Sequence, residues 1–194
     1  MNLRPALAAA LLLALSGCVA FEQAPAAALS CDPALVGTWR SQGDGPGRNI
    51  VVDRKCRAQW PVENGKTVEL GLRGYAAGAN RYLVLSPRDA ERALGSDAPP
   101  GLAASVPPDA VFLVLYRIDG SRLQAWLPDA GAVQNSVKTQ VLQGRKPDPK
   151  DEALLVSSSG RVLANVLERG PEPVFGALTS HPALIAERTA GTAP

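Results

Sequence analysis

The sequence predicts an α+β fold, in which an antiparallel β-meander or partial barrel carries two C-terminal helices. Short β-prone runs alternate with turn-forming residues over residues 31–127. Two hairpin signals, Asn64-Gly65 and Asp119-Gly120, separate pairs of these runs. After Pro128 apolar residues recur at helical spacing, which predicts the helices. We therefore place a single globular domain at residues 31–188.

Seven β-prone runs make up the main predicted sheet. In residues 67–73 every second residue is apolar, which predicts one face toward the core and one toward solvent. Residues 74–80 are expected to form a loop. Residues 111–118 are apolar on both faces, as in a strand that is covered on both sides or closed in a barrel. The runs are residues 36–41, 49–53, 56–60, 67–73, 81–86, 111–118 and 122–127.

Residues 87–109 interrupt the predicted meander. One or two helical turns are expected at residues 89–94, and the proline pairs that follow favour extended loop structure. An excursion of this length is either a functional flap or a mobile surface loop. Its content of alanine, glycine and proline favours the mobile loop.

The C-terminal part contains the two predicted helices. Asp129 is a suitable helix cap, and valines four residues apart predict one helical face over residues 130–142. Ser158 or Ser159 caps a second helix that extends to about Glu168. The remaining elements are predicted strands at residues 153–157 and 182–188 and a frayed tail at residues 189–194.

Leu15-Ser16-Gly17-Cys18 stands at the end of an apolar run. Arg4 and residues 6–15 have the charge and length of a secretory signal, and the run is too short to span a bilayer. The motif resembles a bacterial lipobox. The resemblance implies that residues 1–17 are a signal peptide and that Cys18 carries a diacylglycerol and usually an N-acyl chain, which anchors the protein in a membrane. A plain signal peptide with an incidental cysteine, or a retained membrane anchor, is the alternative.

Val19 follows the predicted lipidation site. In enteric lipoproteins an aspartate at this place favours the inner membrane, so the resemblance implies the outer membrane, with the domain facing the periplasm. Residues 18–30 are rich in alanine and proline. We predict that they form a lipidated N-terminus and a tether. A short helix packed on the domain is the alternative.

The chain has three cysteines. With Cys18 lipidated, Cys31 and Cys56 are the two thiols left in an oxidising compartment, and we expect a disulfide between them. A redox function is not favoured, because the chain has no C-x-x-C motif and no helix start beside either thiol.

Charge and motif content exclude several function classes. The formal net charge is +2, so the chain lacks the excess of basic residues that is typical of a nucleic-acid-binding protein. His181 is the one histidine, and a Ser-His-acid triad or a histidine-containing zinc site would have to use it. It lies in a predicted surface turn, and no G-x-S-x-G motif is present. We predict no catalytic residue, metal or cofactor.

Gly37-Thr38-Trp39 opens the first predicted strand. It resembles the G-x-W motif with which lipocalin-like proteins begin their barrel. The resemblance implies that Trp39 plugs one end of a barrel and stacks on an arginine from a late strand, such as Arg188. The chain departs from that pattern by placing a helix, a strand and a second helix after Leu127. Aromatic residues that line a ligand pocket or fill a β core are Trp39, Trp60, Tyr82, Tyr116 and Trp126.

Three functions remain after these exclusions. The leading hypothesis is a non-enzymatic envelope lipoprotein that binds a protein partner or a small ligand in the periplasm. The alternative is a lipocalin-like carrier of an apolar small molecule, and a hydrolase comes third. An enclosed apolar cavity favours the carrier, an exposed apolar patch favours a partner-binding module, and titratable groups converging in a cleft favour an enzyme.

Overall fold

The computed structural model describes residues 19–42, 47–146, 153–178 and 182–189. The predicted signal peptide, the predicted lipidation site Cys18, His181 and the tail beyond Thr189 lie outside these ranges. In the described part of the chain no helix has the length and apolar character needed to cross a membrane.

The described residues form twelve strands and four α-helices. The strands are β1 Val19–Phe21, β2 Gly37–Gln42, β3 Asn49–Val52, β4 Arg57–Pro61, β5 Thr67–Gly71, β6 Gly74–Ala77, β7 Asn80–Leu85, β8 Phe112–Asp119, β9 Arg122–Trp126, β10 Gly144–Arg145, β11 Leu154–Val156 and β12 Leu184–Arg188. The helices are α1 Pro87–Leu94, α2 Ala130–Lys138, α3 Gly160–Arg169 and α4 Glu172–Phe175. Short 3-10 turns lie at Pro33–Leu35, Glu63–Gly65, Gly95–Asp97 and Leu102–Ala104.

Nine strands form one antiparallel sheet in the order β5-β4-β3-β2-β12-β9-β8-β7-β6. Its two outermost strands are consecutive in the chain, separated by Leu72 and Arg73. The Leu72 N–H donates to the Cys56 carbonyl beside β4 at 2.8 Å, and the Val84 N–H of β7 donates to the Arg73 carbonyl at 2.9 Å. The chain over residues 67–77 therefore bonds to both ends of the sheet, which is curled around its inner face.

This architecture confirms the α+β class and the antiparallel meander. The two predicted hairpins form between β4 and β5 and between β8 and β9. Residues 74–77 pair with β7 as a strand, where a loop was predicted. Three helices instead of two follow β9, and the first of them ends at Lys138 because the chain reverses at Gln140, which has φ of +61°.

Helix α1 occupies the start of the segment that was expected to be a mobile loop. Ser86 caps it by accepting a hydrogen bond from the Asp89 N–H at 3.1 Å, and Pro87 stands in its first turn. Its Ala90 is buried. The segment that follows is held to the β4–β5 turn, because the Glu63 carboxylate accepts hydrogen bonds from the N–H and the hydroxyl of Ser96.

The curled sheet separates two apolar clusters. The inner cluster fills the concave side and includes Leu35, Trp39, Val52, Leu70 and Tyr116. The outer cluster lies on the convex side of β7, β8 and β9, where helices α2 to α4 and a small sheet cover it. That small sheet has the order β1-β11-β10, with β1 parallel to β11.

The prediction of a tether at residues 18–30 is wrong for the described residues 19–30. Val19, Ala20 and Phe21 are 4%, 3% and 0% exposed, because β1 is a strand of the small sheet and packs in the outer cluster. Further along, the Ala26 N–H donates to the Gly160 carbonyl at 2.9 Å. Gly160 permits this docking, since a Cβ there would collide with the Ala24 carbonyl. The alanine and proline content of this segment indicated a flexible chain, but the backbone hydrogen bonds of β1 and of Ala26 hold it against the domain.

The predicted disulfide between Cys31 and Cys56 is present. It joins the segment before β2 to the turn before β4, and Cys56 is 1% exposed within the inner cluster. It closes a loop across residues that lie 25 positions apart in sequence.

We expect the double substitution Cys31→Ser with Cys56→Ser to lower the free energy of unfolding by about 3 kcal/mol, because the cross-link restricts the unfolded chain. Urea denaturation of the purified protein measures this. Reductant should lower the denaturation midpoint of the wild type and leave that of the variant unchanged. Equal midpoints for oxidised wild type and variant would contradict the prediction.

Candidate functional site

The inner face of the curled sheet encloses a cavity of about 620 Å³. Ligand pockets in proteins commonly measure about 300–1,000 Å³, so the cavity is of a size that holds a small molecule. Side chains from strands on both halves of the sheet and from α1 line it. They include Trp39, Trp60, Leu70, Tyr116, Ala125 and Leu94.

Three of the five predicted ligand-lining aromatic residues lie on this cavity. Trp39, Trp60 and Tyr116 line it, whereas Tyr82 and Trp126 belong to the outer cluster on the other side of the sheet. Tyr82 stacks on Tyr75 with ring centroids 5.3 Å apart. Strands β7 to β9 are apolar on both faces, so their sequence pattern does not reveal which face turns toward the cavity.

The polar atoms of the three lining aromatic residues are all hydrogen-bonded within the protein. The indole N–H of Trp39 donates to the Leu35 carbonyl at 2.8 Å, and that of Trp60 donates to the Ala93 carbonyl at 3.0 Å. The Tyr116 hydroxyl donates to Asp32 Oδ2 at 2.7 Å. These residues therefore present apolar ring surface, which suits an apolar ligand.

Trp39 and Arg188 close one end of the cavity. The Arg188 guanidinium lies over the Trp39 ring, 4.2 Å from its centroid, in the contact with a late arginine that the G-x-W motif implies. Its Nη1 and Nη2 donate to the carbonyls of Val36 and Ala34 at 2.7 and 2.6 Å. Gly37 has φ of +133°, and a Cβ there would lie 2.7 Å from Arg188 Nη1. The glycine of the motif is thus required by both its backbone angle and the approach of the arginine.

Asp32 links the same end of the cavity to β7 and β8 through hydrogen bonds. Its Oδ2 accepts hydrogen bonds from the Tyr116 hydroxyl and from Arg81 Nη1, each at 2.7 Å, and its Oδ1 accepts one from the Ala34 N–H at 2.9 Å. Burial raises the pKa of Asp32, but the hydrogen bonds from Tyr116 and Ala34 and the charge of Arg81 outweigh it and hold the pKa below its usual value. Burial and the Asp32 carboxylate raise the pKa of Tyr116. At neutral pH Asp32 is therefore ionised and Tyr116 keeps its proton.

Val19, Leu94, Pro99 and Leu127 stand at the other end of the cavity, across which α1 packs. All four line the cavity. Strands β7 and β9 are both antiparallel to β8, so their C-terminal ends, which precede Leu94 and Leu127, lie at the same end of the sheet. Leu94 and Leu127 are 36% and 54% exposed, so this end carries exposed apolar surface.

The charged side chains that line the cavity in the described part of the chain are two aspartates, Asp97 and Asp129. Asp129 caps α2 by accepting a hydrogen bond from the Ala132 N–H at 2.6 Å. Within the same ranges no three histidine, cysteine, aspartate or glutamate side chains are grouped as metal ligands would be. His181, on which a triad or a zinc site would depend, lies outside them.

Comparisons with protein-family models, with curated proteins and with solved structures found no match to this chain. Its function is therefore argued from the geometry of the cavity.

We expect Arg188→Ala to lower the free energy of unfolding by about 2–3 kcal/mol, because two backbone carbonyls lose a charged donor and Trp39 loses its cation–π partner. Urea denaturation measures the change. Arg161→Ala, at an exposed position on α3, is the control and should change stability by less than about 0.5 kcal/mol. Equal effects of the two substitutions would show that Arg188 does not hold the closed end.

We expect Asp32→Asn to destabilise the protein at pH 7 and to have little effect in acid. A carboxylate with a lowered folded-state pKa stabilises the fold above its unfolded pKa, about 3.9, and this contribution is lost as the pH falls through the folded-state value. Urea midpoints of wild type and variant at pH 7, 5 and 3 should therefore converge at the lowest pH. The exposed Asp109→Asn is the control. A gap of constant size across this pH range would contradict the prediction.

Proposed function

We propose that this protein is a non-enzymatic, lipid-anchored envelope protein that binds an apolar small molecule in the cavity of its curled sheet. The observation that carries the proposal is a cavity of about 620 Å³. The polar atoms of its lining residues Trp39, Trp60 and Tyr116 are all hydrogen-bonded to other groups of the protein. An apolar cavity of this size favours a carrier over a module that binds protein on an exposed apolar patch.

The proposed location is the outer membrane, on its periplasmic side, with Cys18 as the lipidated residue. The Leu15-Ser16-Gly17-Cys18 motif supports the anchor. The disulfide between Cys31 and Cys56 supports an oxidising compartment, since disulfides are rare in the reducing cytosol.

The charges at the cavity favour a ligand without net negative charge. Asp97 and Asp129 line it, and among the described lining residues there is no lysine or arginine. A free carboxylate or phosphate group at the same place would meet like charge and would find no described lining cation to pair with. We therefore propose an uncharged apolar molecule, or one whose polar group is neutral or zwitterionic.

We expect the protein to bind a pyrene-labelled monoacylglycerol more tightly than the pyrene-labelled fatty acid of the same chain length, by about tenfold, because the carboxylate of the fatty acid is repelled. Energy transfer from the cavity tryptophans Trp39 and Trp60 to pyrene reports binding.

Ala125→Phe tests whether the cavity is the site. Ala125 is 7% exposed and faces the cavity, so a phenyl ring there occupies space needed by the ligand, and affinity should fall at least about tenfold. Val51→Phe, at a 37% exposed position on β3, is the matched control and should bind as the wild type does. Circular dichroism establishes that both variants fold. Absence of binding by the wild type would overturn the proposed function, and equal binding by the two variants would place the site elsewhere.

A further inference from the structure

We infer that helix α1 is a movable lid on the cavity, and that the ligand enters and leaves where this helix lies beside β5. The lid comprises residues 87–104, from the start of α1 to the end of the 3-10 turn Leu102–Ala104. This inference rests on the proposed function. It adds the route by which the ligand reaches the cavity and the side chains that hold this route closed.

The ladder of the curled sheet is interrupted beside β5. This strand pairs with β4 on one side, and no described strand pairs with it on the other. The chain then crosses to β7, where the Val84 N–H donates to the Arg73 carbonyl at 2.9 Å and β6 pairs with residues 80–83. Residues 67–71 therefore border a gap in the wall that no backbone hydrogen bonds close.

Helix α1 fills this gap. It begins two residues after the end of β7 and contacts both β7 and β5. Its Ala90, Ala93 and Leu94 line the cavity, as do Leu70 of β5 and Leu85 of β7. Moving α1 away from β5 therefore opens the cavity to solvent without breaking any strand ladder.

The other described boundaries of the cavity are held more firmly. Passage between two paired strands would break several backbone hydrogen bonds at once. The closed end is held by the bonds of Arg188 to two carbonyls and of Asp32 to Tyr116. Beside α1, the Asp129 N–H donates to the Val174 carbonyl at 2.9 Å, which joins the chain after β9 to the outer helices. Among these boundaries the lid moves at the lowest cost.

The apolar attachment of the lid is small. The residues that α1 buries are Pro87 and Ala90. Ala90 and Leu102, which is 4% exposed, belong to neither apolar cluster, and α1 contacts the turn that contains Leu102. The lid thus has packing of its own that moves with it. Since apolar stabilisation scales with the area removed from water, a helix attached by small side chains is displaced at lower cost than one attached by large ones.

Two side chains of the β4–β5 hairpin hold the C-terminal end of α1, and we call them the latch. The indole N–H of Trp60 donates to the Ala93 carbonyl at 3.0 Å. The Glu63 carboxylate accepts hydrogen bonds from the Ser96 N–H at 3.1 Å and from the Ser96 hydroxyl. The Glu63 bonds are exposed, so water replaces them when the lid moves. Trp60 also lines the cavity, so a ligand that packs on its ring contacts a residue of the latch.

Glu63→Ala tests the latch. The purified protein is mixed rapidly with the pyrene-labelled monoacylglycerol, and energy transfer from tryptophan reports association and dissociation. Loss of the Ser96 bonds raises the open fraction of free and of loaded protein alike, so both rate constants should rise about fivefold while Kd changes less than about twofold. Glu69→Ala is the matched control, because this carboxylate lies on the same hairpin, is 54% exposed and interacts with Arg57 instead of the lid. It should leave both rates unchanged.

A cross-link that holds the lid shut should have the opposite effect. Glu63→Cys with Ser96→Cys places two thiols where the side chains touch, and a short bifunctional maleimide joins them. Cys31 and Cys56 do not react, since they are joined to each other. Association and dissociation should slow at least about tenfold on cross-linking. Ser96→Cys alone, treated with the same reagent, is the control and should not slow. Mass spectrometry identifies the cross-linked peptides, and circular dichroism establishes that each variant folds.

The outcomes separate the lid from the function on which it rests. Faster exchange by Glu63→Ala together with slower exchange by the cross-linked protein supports the lid. Binding by the wild type at rates that neither change alters would overturn the lid and leave the proposed function standing. Equal acceleration by Glu63→Ala and Glu69→Ala would also overturn it. Failure of the wild type to bind the probe at equilibrium would overturn the proposed function itself.

Discussion

The cavity depends on one constraint, the continuous run of residues 67–77 that bonds to β4 on one side and to β7 on the other. Residues 67–72 bond to β4 and to Cys56 beside it, and residues 73–77 bond to β7, so one run of chain serves both ends of the sheet. Because the ends meet, the nine strands curl around a concave face instead of forming an open layer. Side chains on that face are removed from water without a second sheet packed against them, which leaves room for a ligand.

The two ends of this cavity differ in their physical character. One end is held by directional contacts: a disulfide, a guanidinium bonded to two carbonyls, and an aspartate bonded to Tyr116 and Arg81. The other end has an apolar rim and lies beside the first described strand. The closed end is thus held by polar contacts of fixed geometry, whereas the other end is lined mainly by apolar side chains.

The docking of residues 19–30 changes what the N-terminal motif means. A lipidated cysteine followed by a tether gives a membrane address and leaves the domain free to rotate. In the structure a buried strand, Val19–Phe21, stands where the tether was expected. This conformation depends on the pairing of Val19–Phe21 with β11 and of Phe21 with Val111, and these partners lie 90 or more residues further along the chain.

The sequence by itself determined the α+β class, the two hairpins, the helix cap at Asp129 and the cysteine pair, because each depends on local pattern or on a short list of chemical options. It left the second helix cap between Ser158 and Ser159, and the structure has Ser159. It also indicated that Trp39 would meet a late arginine. Only the tertiary structure decided that residues 74–77 are a strand, that Tyr82 and Trp126 turn away from the cavity, and that residues 19–21 form a buried strand. Residues 74–77 pair across a tight turn with the neighbouring β7, but they lack the alternation of polar and apolar residues that predicts a strand. The partners of residues 19–21 are distant in sequence, and both faces of the central strands are apolar, so no local pattern distinguishes the inside of the sheet from the outside.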